Sequence, residues 1–144
     1  MTKRAVIILI EAGKIALIER HRQGVRYFTF PGGHIEADET PEETAEREAE
    51  EELGLKVVIG QQVAEIWWHG RPQYYYLAET VEGAFGTGRG EEMTSPLPER
   101  GTYRPVWVPL DELLSYPILP RRMAEIIVKA TKNGWPEKPA LIYE

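Results

Sequence analysis

Residues 32–55 read GGHIEADETPEETAEREAEEELGL, and the way this stretch is read decides how the rest of the chain is understood. Thr40-Pro41-Glu42-Glu43 is a helix start: threonine suits the N-cap, proline the first helical position, and a glutamate three residues after the cap can reach back to complete a capping box. Gly54 suits the other end, because a left-handed cap costs glycine no Cβ clash. The helix is therefore expected from Pro41 to Leu53, about 13 residues. Spacing then sorts its side chains. Glu48, Glu51 and Glu52 stand at i, i+3 and i+4 and share one face. Ala45, Ala49 and Leu53 form an apolar stripe beside them, small enough to let the helix lie close on a sheet.

Three carboxylates on one helix edge repel each other, at a cost of a few tenths of a kcal/mol per i,i+4 pair even when exposed. A hard divalent cation reverses that sign, since it takes carboxylate oxygens at close range and keeps room for waters and substrate phosphates. A bare E-x-x-E-E reads as a solvated acidic face, so the residues around it must decide.

Those residues resemble the signature of the Nudix hydrolases, the MutT-like family. Gly33, Glu39, Arg47, Glu48, Ala49, Glu51, Glu52, Gly54 and Leu55 fill its spaced positions, with Ala49 where the family more often carries a bulkier aliphatic residue. The resemblance implies an α/β fold, the family's α/β/α sandwich with a mixed β-sheet. It also implies Mg²⁺, or Mn²⁺ in its place, held by Glu48, Glu51, Glu52 and the carbonyl of Gly32. Glu39 and Arg47 then form an ion pair that sets the helix and its glutamates. The general base stays open between Glu48 and two acids further along, Glu91 and Glu92, because reach to the attacking water decides it. Glu39, Arg47, Glu48, Glu52, Glu91 and Glu92 make up the implied catalytic set, and Gly33 joins Arg20 and Arg22 as candidate substrate contacts. The implied reaction is cleavage of the diphosphate bond in a nucleoside diphosphate linked to another group, with nucleoside triphosphates, ADP-ribose and dinucleoside polyphosphates all open.

Composition limits the alternatives. With 144 residues and 42% hydrophobic residues, the chain is read as one domain, residues 1–144, with a proper core. A net charge of −6 and a pI near 5.2 argue against stable binding to nucleic acid, which needs a basic footprint. There is no cysteine, hence no disulfide framework, thiol nucleophile or thiolate metal site. The apolar run Ala5–Ile10 is too short for a signal-peptide core or a membrane span. The expectation is a soluble cytoplasmic protein, monomer or homodimer, whose partner is a small nucleotide.

Along the chain, Arg4–Ile10 and Lys14–Glu19 read as a hairpin of strands buried on both faces, turning at Gly13. Arg20 to Gly24 reads as a basic loop, and Tyr27–Phe30 as a short strand leading into the glycine turn. Each of Arg20 and Arg22, taken alone, reads as solvated loop charge, and their place beside the glycine turn is what suggests phosphate contact. His21 and His34 carry less signal. Leu55–Ile59 reads as one strand, and Gln62–Trp68 with Gln73–Glu79 as an aromatic hairpin. Glu82–Gly101 is rich in glycine and proline and reads as a long loop holding Glu91 and Glu92. Tyr103–Val108 reads as a strand in which Pro105, with no ladder donor, implies an edge or a bulge. A short helical turn follows from Pro109, then a last helix opened by Pro120 and closed by Gly134. The tail from Trp135 is apolar enough to pack back.

Two rival functions differ in class. Isopentenyl diphosphate isomerase shares the fold and part of the motif, but works through a cysteine this chain lacks. A non-catalytic nucleotide-binding or sensor module on the same fold usually loses the glutamates, and here they are all present.

Overall fold

The central strand is β1 (Arg4–Glu11), whose apolar residues are buried on both sides. The structure is a computed structural model that describes residues 2–90 and 101–144. β1 turns through Ala12 and Gly13, both at positive φ, into β2 (Lys14–Arg22). Side chains alternate along β1: Val6 and Ile8 enter one apolar cluster, Ala5, Ile7 and Leu9 the other. The mixed sheet runs β3-β2-β1-β6-β5-β8, with β1 parallel to β6 and β5 parallel to β8. Its other members are β3 (Val25–Thr29), β4 (Gly32–His34), β5 (Leu55–Trp68), β6 (Arg71–Gly83), β7 (Thr102–Pro109) and β8 (Ala140–Tyr143). Helix α1 (Pro41–Leu53) covers one cluster through Ala45, Ala49 and Leu53. Helix α2 (Arg121–Asn133) covers the other through Met123, Ala124 and Ile127. The layers are α/β/α.

Helix α1 starts and stops where its caps dictate. Thr40 Oγ1 accepts from the Glu43 amide at 3.1 Å, and Glu43 Oε1 accepts from the Thr40 amide at 2.8 Å, the reciprocal pair of a capping box. Gly54 takes φ 77° and donates to the Glu50 carbonyl at 3.0 Å. Leu53 is fully buried, a burial that stabilises by about 1.5–3 kcal/mol.

Several boundaries differ from the sequence expectation. Arg20, His21 and Arg22 are not in a loop: β2 continues through them because it pairs with β3 and β7 on its two edges. The break expected between Ile59 and Gln62 is a bulge inside a single long β5, where Gly60 and Gln61 are absorbed without ending the ladder. The β5–β6 turn is only His69-Gly70, both at positive φ, so pairing reaches Trp68 and Arg71. Pro120 is the N-cap of α2 rather than its first residue. Pro105 does sit on an edge, since among the described residues β7 pairs only with β2. The tail packs back as expected and adds β8 beside β5.

β6 runs on to Gly83, and residues 84–90 then lie against the end of α1. The Gly86 amide donates to the Leu53 carbonyl at 2.9 Å and the Gly90 amide to that of Glu51 at 2.8 Å. Phe85 stacks on Trp107 of β7 at 4.6 Å. These contacts satisfy carbonyls that a helix end leaves without an intrahelical partner.

Candidate active site

Where β4 meets the second half of α1, the backbone and the glutamates come into direct contact. The Gly32 amide donates to Glu52 Oε1 at 2.7 Å. A Cβ on Gly33 would stand 2.3 Å from Glu48 Oε1, so any other residue there would push the carboxylate from its place against the strand. Glu48 and Glu52 are 6% and 5% exposed, unusual for glutamates and costly unless compensated.

Compensation comes largely from Arg47. Its Nε donates to Glu39 Oε2 at 2.7 Å and its Nη2 to Glu39 Oε1 at 3.0 Å, a two-pronged contact. Its Nη1 reaches Glu48 Oε1 at 2.9 Å and Glu51 Oε2 at 3.2 Å, and its Nη2 also reaches the His34 carbonyl at 3.2 Å. The hydrogen bonds from Arg47 pull the Glu39 carboxyl down to about 2 against the smaller opposing effect of burial, with help from the Thr44 hydroxyl. The same contact with Glu39 keeps the Arg47 guanidinium charged at any pH.

These groups edge a cleft of about 870 Å³. Glu48, Glu51, Glu52, Arg47, Gly32 and Gly33 all line it, as do Arg20 and Arg22 from the far end of β2. Arg20 lies 3.6 Å over the ring of Tyr103 and donates from Nε to the Thr102 carbonyl at 3.2 Å. His34 lines the cleft too; burial, then Arg4 and Arg71, hold its imidazole below the ordinary value. His21 instead faces Glu19 at 3.7 Å. Glu91 and Glu92 lie outside the described residues.

The sequence reading missed four residues of this cleft. Arg4 donates from Nη2 to the Gly32 carbonyl at 3.3 Å, and Trp68, Gln73 and Tyr75 line the wall beside it. Trp68 and Tyr75 belong to the expected aromatic hairpin, but nothing local said which of its faces meets Gly32 and Gly33. Arg4 gave no signal, because its approach to Gly32 depends on the pairing of β1 with β4.

Among the described residues, no cluster of three or more histidines or carboxylates stands ready-made as a metal cage. The chemistry of the donor set nonetheless fits a hard cation. Glu39, Glu48 and Glu51 converge on one guanidinium, Glu52 stands one turn on from Glu48 against the Gly32 amide, and the Cβ-free approach of Gly33 leaves the strand backbone against Glu48.

A sequence profile of the NUDIX domain matches residues 1–130. The chain belongs to the Nudix family. It is similar to the CTP pyrophosphohydrolase of Escherichia coli (strain K12), 29% identical over 123 residues that cover 83% of this chain and 84% of that enzyme. It is also similar to the 8-oxo-dGTP diphosphatase of Haemophilus influenzae, 43% identical over 90 residues; that match spans 57% of this chain and 65% of the enzyme. Among solved structures, an ADP-ribose pyrophosphatase from Streptococcus suis superposes with a TM-score of 0.69 at 16% identity, covering 99% of this chain and 98% of that one. At such identity the superposition speaks for the Nudix fold alone. Among the described residues, no helix is long and apolar enough to cross a membrane.

Proposed function

We propose that this Nudix protein is a Mg²⁺-dependent hydrolase that cleaves the diphosphate bond of a nucleoside diphosphate linked to another group, with nucleoside triphosphates as the leading class. The observation that carries the reading is the meeting of Glu48, Glu51 and Glu52 with the Gly32-Gly33 backbone of β4 in a cleft that Arg20 and Arg22 also line. The nucleotide activities named for the two similar enzymes support it.

Glu48, Glu51 and Glu52 would hold Mg²⁺, or Mn²⁺ in its place, with the Gly32 carbonyl as a further ligand once Arg4 gives up its hydrogen bond there. The bound cation supplies neutralisation of charge on the phosphate oxygens and makes water easier to deprotonate. Arg47 keeps Glu48 and Glu51 on the same side of the helix and anchors both to Glu39, so the carboxylates arrive already oriented. Arg20 and Arg22 bind the phosphates that lie away from the glutamates. Water attacks phosphorus, the bridging P–O bond breaks with the leaving phosphate, and a cleft carboxylate takes the water's proton. Within the described residues that acceptor is Glu48; Glu91 and Glu92 are the alternatives supplied by the segment after Gly90.

The test is a turnover screen of nucleoside triphosphates, ADP-ribose and dinucleoside polyphosphates across a Mg²⁺ series. Release of phosphate or diphosphate that requires the metal is the expected result. Binding without turnover at every metal concentration would move the protein to the sensor class.

A further inference from the structure

One end of the cleft is built differently from its glutamate edge. Val6, Phe30, Trp68, Tyr75 and Leu119 form its wall, with Phe30 and Tyr75 edge to face at 5.8 Å. An apolar and aromatic wall with few fixed polar groups suits a planar ligand. Two polar side chains interrupt it, Gln73 and Arg4, which are Cα partners on neighbouring strands β6 and β1.

Gln73 is held in one orientation. Its Oε1 accepts from the Tyr75 hydroxyl at 2.7 Å. Burial raises the Tyr75 phenol well above its ordinary value, so the hydroxyl keeps its proton and remains the donor. An amide whose oxygen is engaged turns its NH₂ outward, and a guanidinium has donors only. The polar part of this wall therefore donates and does not accept.

We infer that this end of the cleft takes the base of the nucleotide and that Gln73, oriented by Tyr75, selects a base bearing a carbonyl group. The inference deepens the hydrolase reading and rests on it for the position of the phosphates. Guanine and the pyrimidines carry an exocyclic carbonyl that accepts from an NH₂ group. Adenine carries none: its ring nitrogens accept, but the amino group where guanine has the carbonyl is itself a donor. Donor facing donor leaves both groups without a partner at a partly buried wall, which costs about tenfold or more in discrimination.

The experiment measures equilibrium binding of the α,β-methylene analogues of GTP and ATP, beside steady-state turnover of GTP and ATP. The proteins are the parent, Gln73→Leu, Gln73→Glu and Tyr75→Phe. The parent is expected to favour guanosine over adenosine by about tenfold. Gln73→Leu should bring that ratio close to one. Gln73→Glu should also lower the ratio, because a carboxylate offers no donor to the base carbonyl. Tyr75→Phe, which removes only the hydroxyl, should weaken the preference by releasing the amide. The ratio is internal to each protein, so partial misfolding lowers both affinities and leaves it readable. A parent ratio near one, Gln73 variants that keep the parent ratio, or no nucleotide binding at all overturns the inference. Guanosine preference in binding without turnover of any nucleotide sinks the hydrolase reading and leaves the base assignment standing. Turnover with no base preference does the reverse.

Discussion

Two sets of buried carboxylates sit on different sides of the sheet, and their charge balance separates them. On the side of Leu17 and Phe28, Glu19 is 3% exposed and faces two guanidiniums: Arg26 Nε at 2.6 Å and Arg104 Nε at 2.8 Å. On the α1 side, Glu48 and Glu52 are buried too, yet Glu48 shares one guanidinium with Glu39 and Glu51, and Glu52 accepts from the Gly32 amide. Burial of a carboxylate is thus no mark of function by itself. Cations in excess make Glu19 a strut between β2, β3 and β7. Anions in excess on α1 repel one another until positive charge arrives, which is a poor way to hold a fold and a good way to hold a metal and its phosphates.

The largest expected effect tests the under-compensated side. Glu52→Gln should lower turnover by about 10³-fold, because it removes charge needed at the phosphates. The amide oxygen can still accept from Gly32, so the melting curve should stay at the parent's. A variant that keeps its activity ends the assignment. Next comes Arg47→Ala, which takes the shared cation from Glu39, Glu48 and Glu51 and should lower both rate and stability, the latter by about 1–3 kcal/mol at neutral pH. The sign of its pH dependence follows from Glu39, held near 2 against an ordinary 4.5. A depressed folded pKa stabilises above the ordinary value and loses that contribution as pH falls toward the folded one. The melting gap between parent and Arg47→Ala should therefore be full at pH 7 and shrink between about pH 4.5 and 2. A gap independent of pH would break the link between Arg47 and Glu39. A smaller effect is expected at Gly88, where a Cβ would meet the Glu51 carbonyl oxygen at 2.4 Å and the Glu52 carbonyl carbon at 2.7 Å. Both are backbone atoms, so Gly88→Ala must shift the end of α1. About tenfold lower kcat/KM with a raised Mg²⁺ requirement is expected.

The difference between the two clusters also marks how far the sequence could be read. Helix α1 was legible residue by residue, because Thr40, Glu43 and Gly54 cap it through local contacts and its stripes follow from 3.6 residues per turn. The pairing of Arg47 with Glu39 matched the expectation from the resemblance, and the structure added Glu48 and Glu51 to the same guanidinium. What escaped depends on partners far along the chain. β4 is only three residues, two of them glycine, and becomes a strand because β1 lies beside it. β8 forms against β5 across about 75 residues of sequence. Arg4 and Gln73 meet only through strand register. Glu19 looked like the end of a strand, and its two arginines come from β3 and β7.

The smallest expected effect belongs to that other cluster. Glu19→Gln keeps the volume and one acceptor but removes the charge, leaving Arg26 and Arg104 facing an amide. Breaking a buried pair is severe when both partners are dry. Here the arginine side chains are 51% and 71% exposed, so water takes over much of their solvation. A loss of about 1–2 kcal/mol follows, or a melting temperature lower by about 3–6 °C. Burial pushes the Glu19 carboxyl up, but hydrogen bonds from Arg26 and Arg104 outweigh it and hold it below its ordinary 4.5. The contribution is accordingly present above pH 4.5 and lost as pH falls through the folded value, so the parent should approach the variant in acid. Turnover at neutral pH should change by less than about threefold, since Glu19 pairs with Arg26 and Arg104 while Glu39, Glu48 and Glu51 pair with Arg47. If Glu19→Gln loses activity on the scale of Glu52→Gln while melting like the parent, charge balance is the wrong criterion and Glu19 belongs to the chemistry.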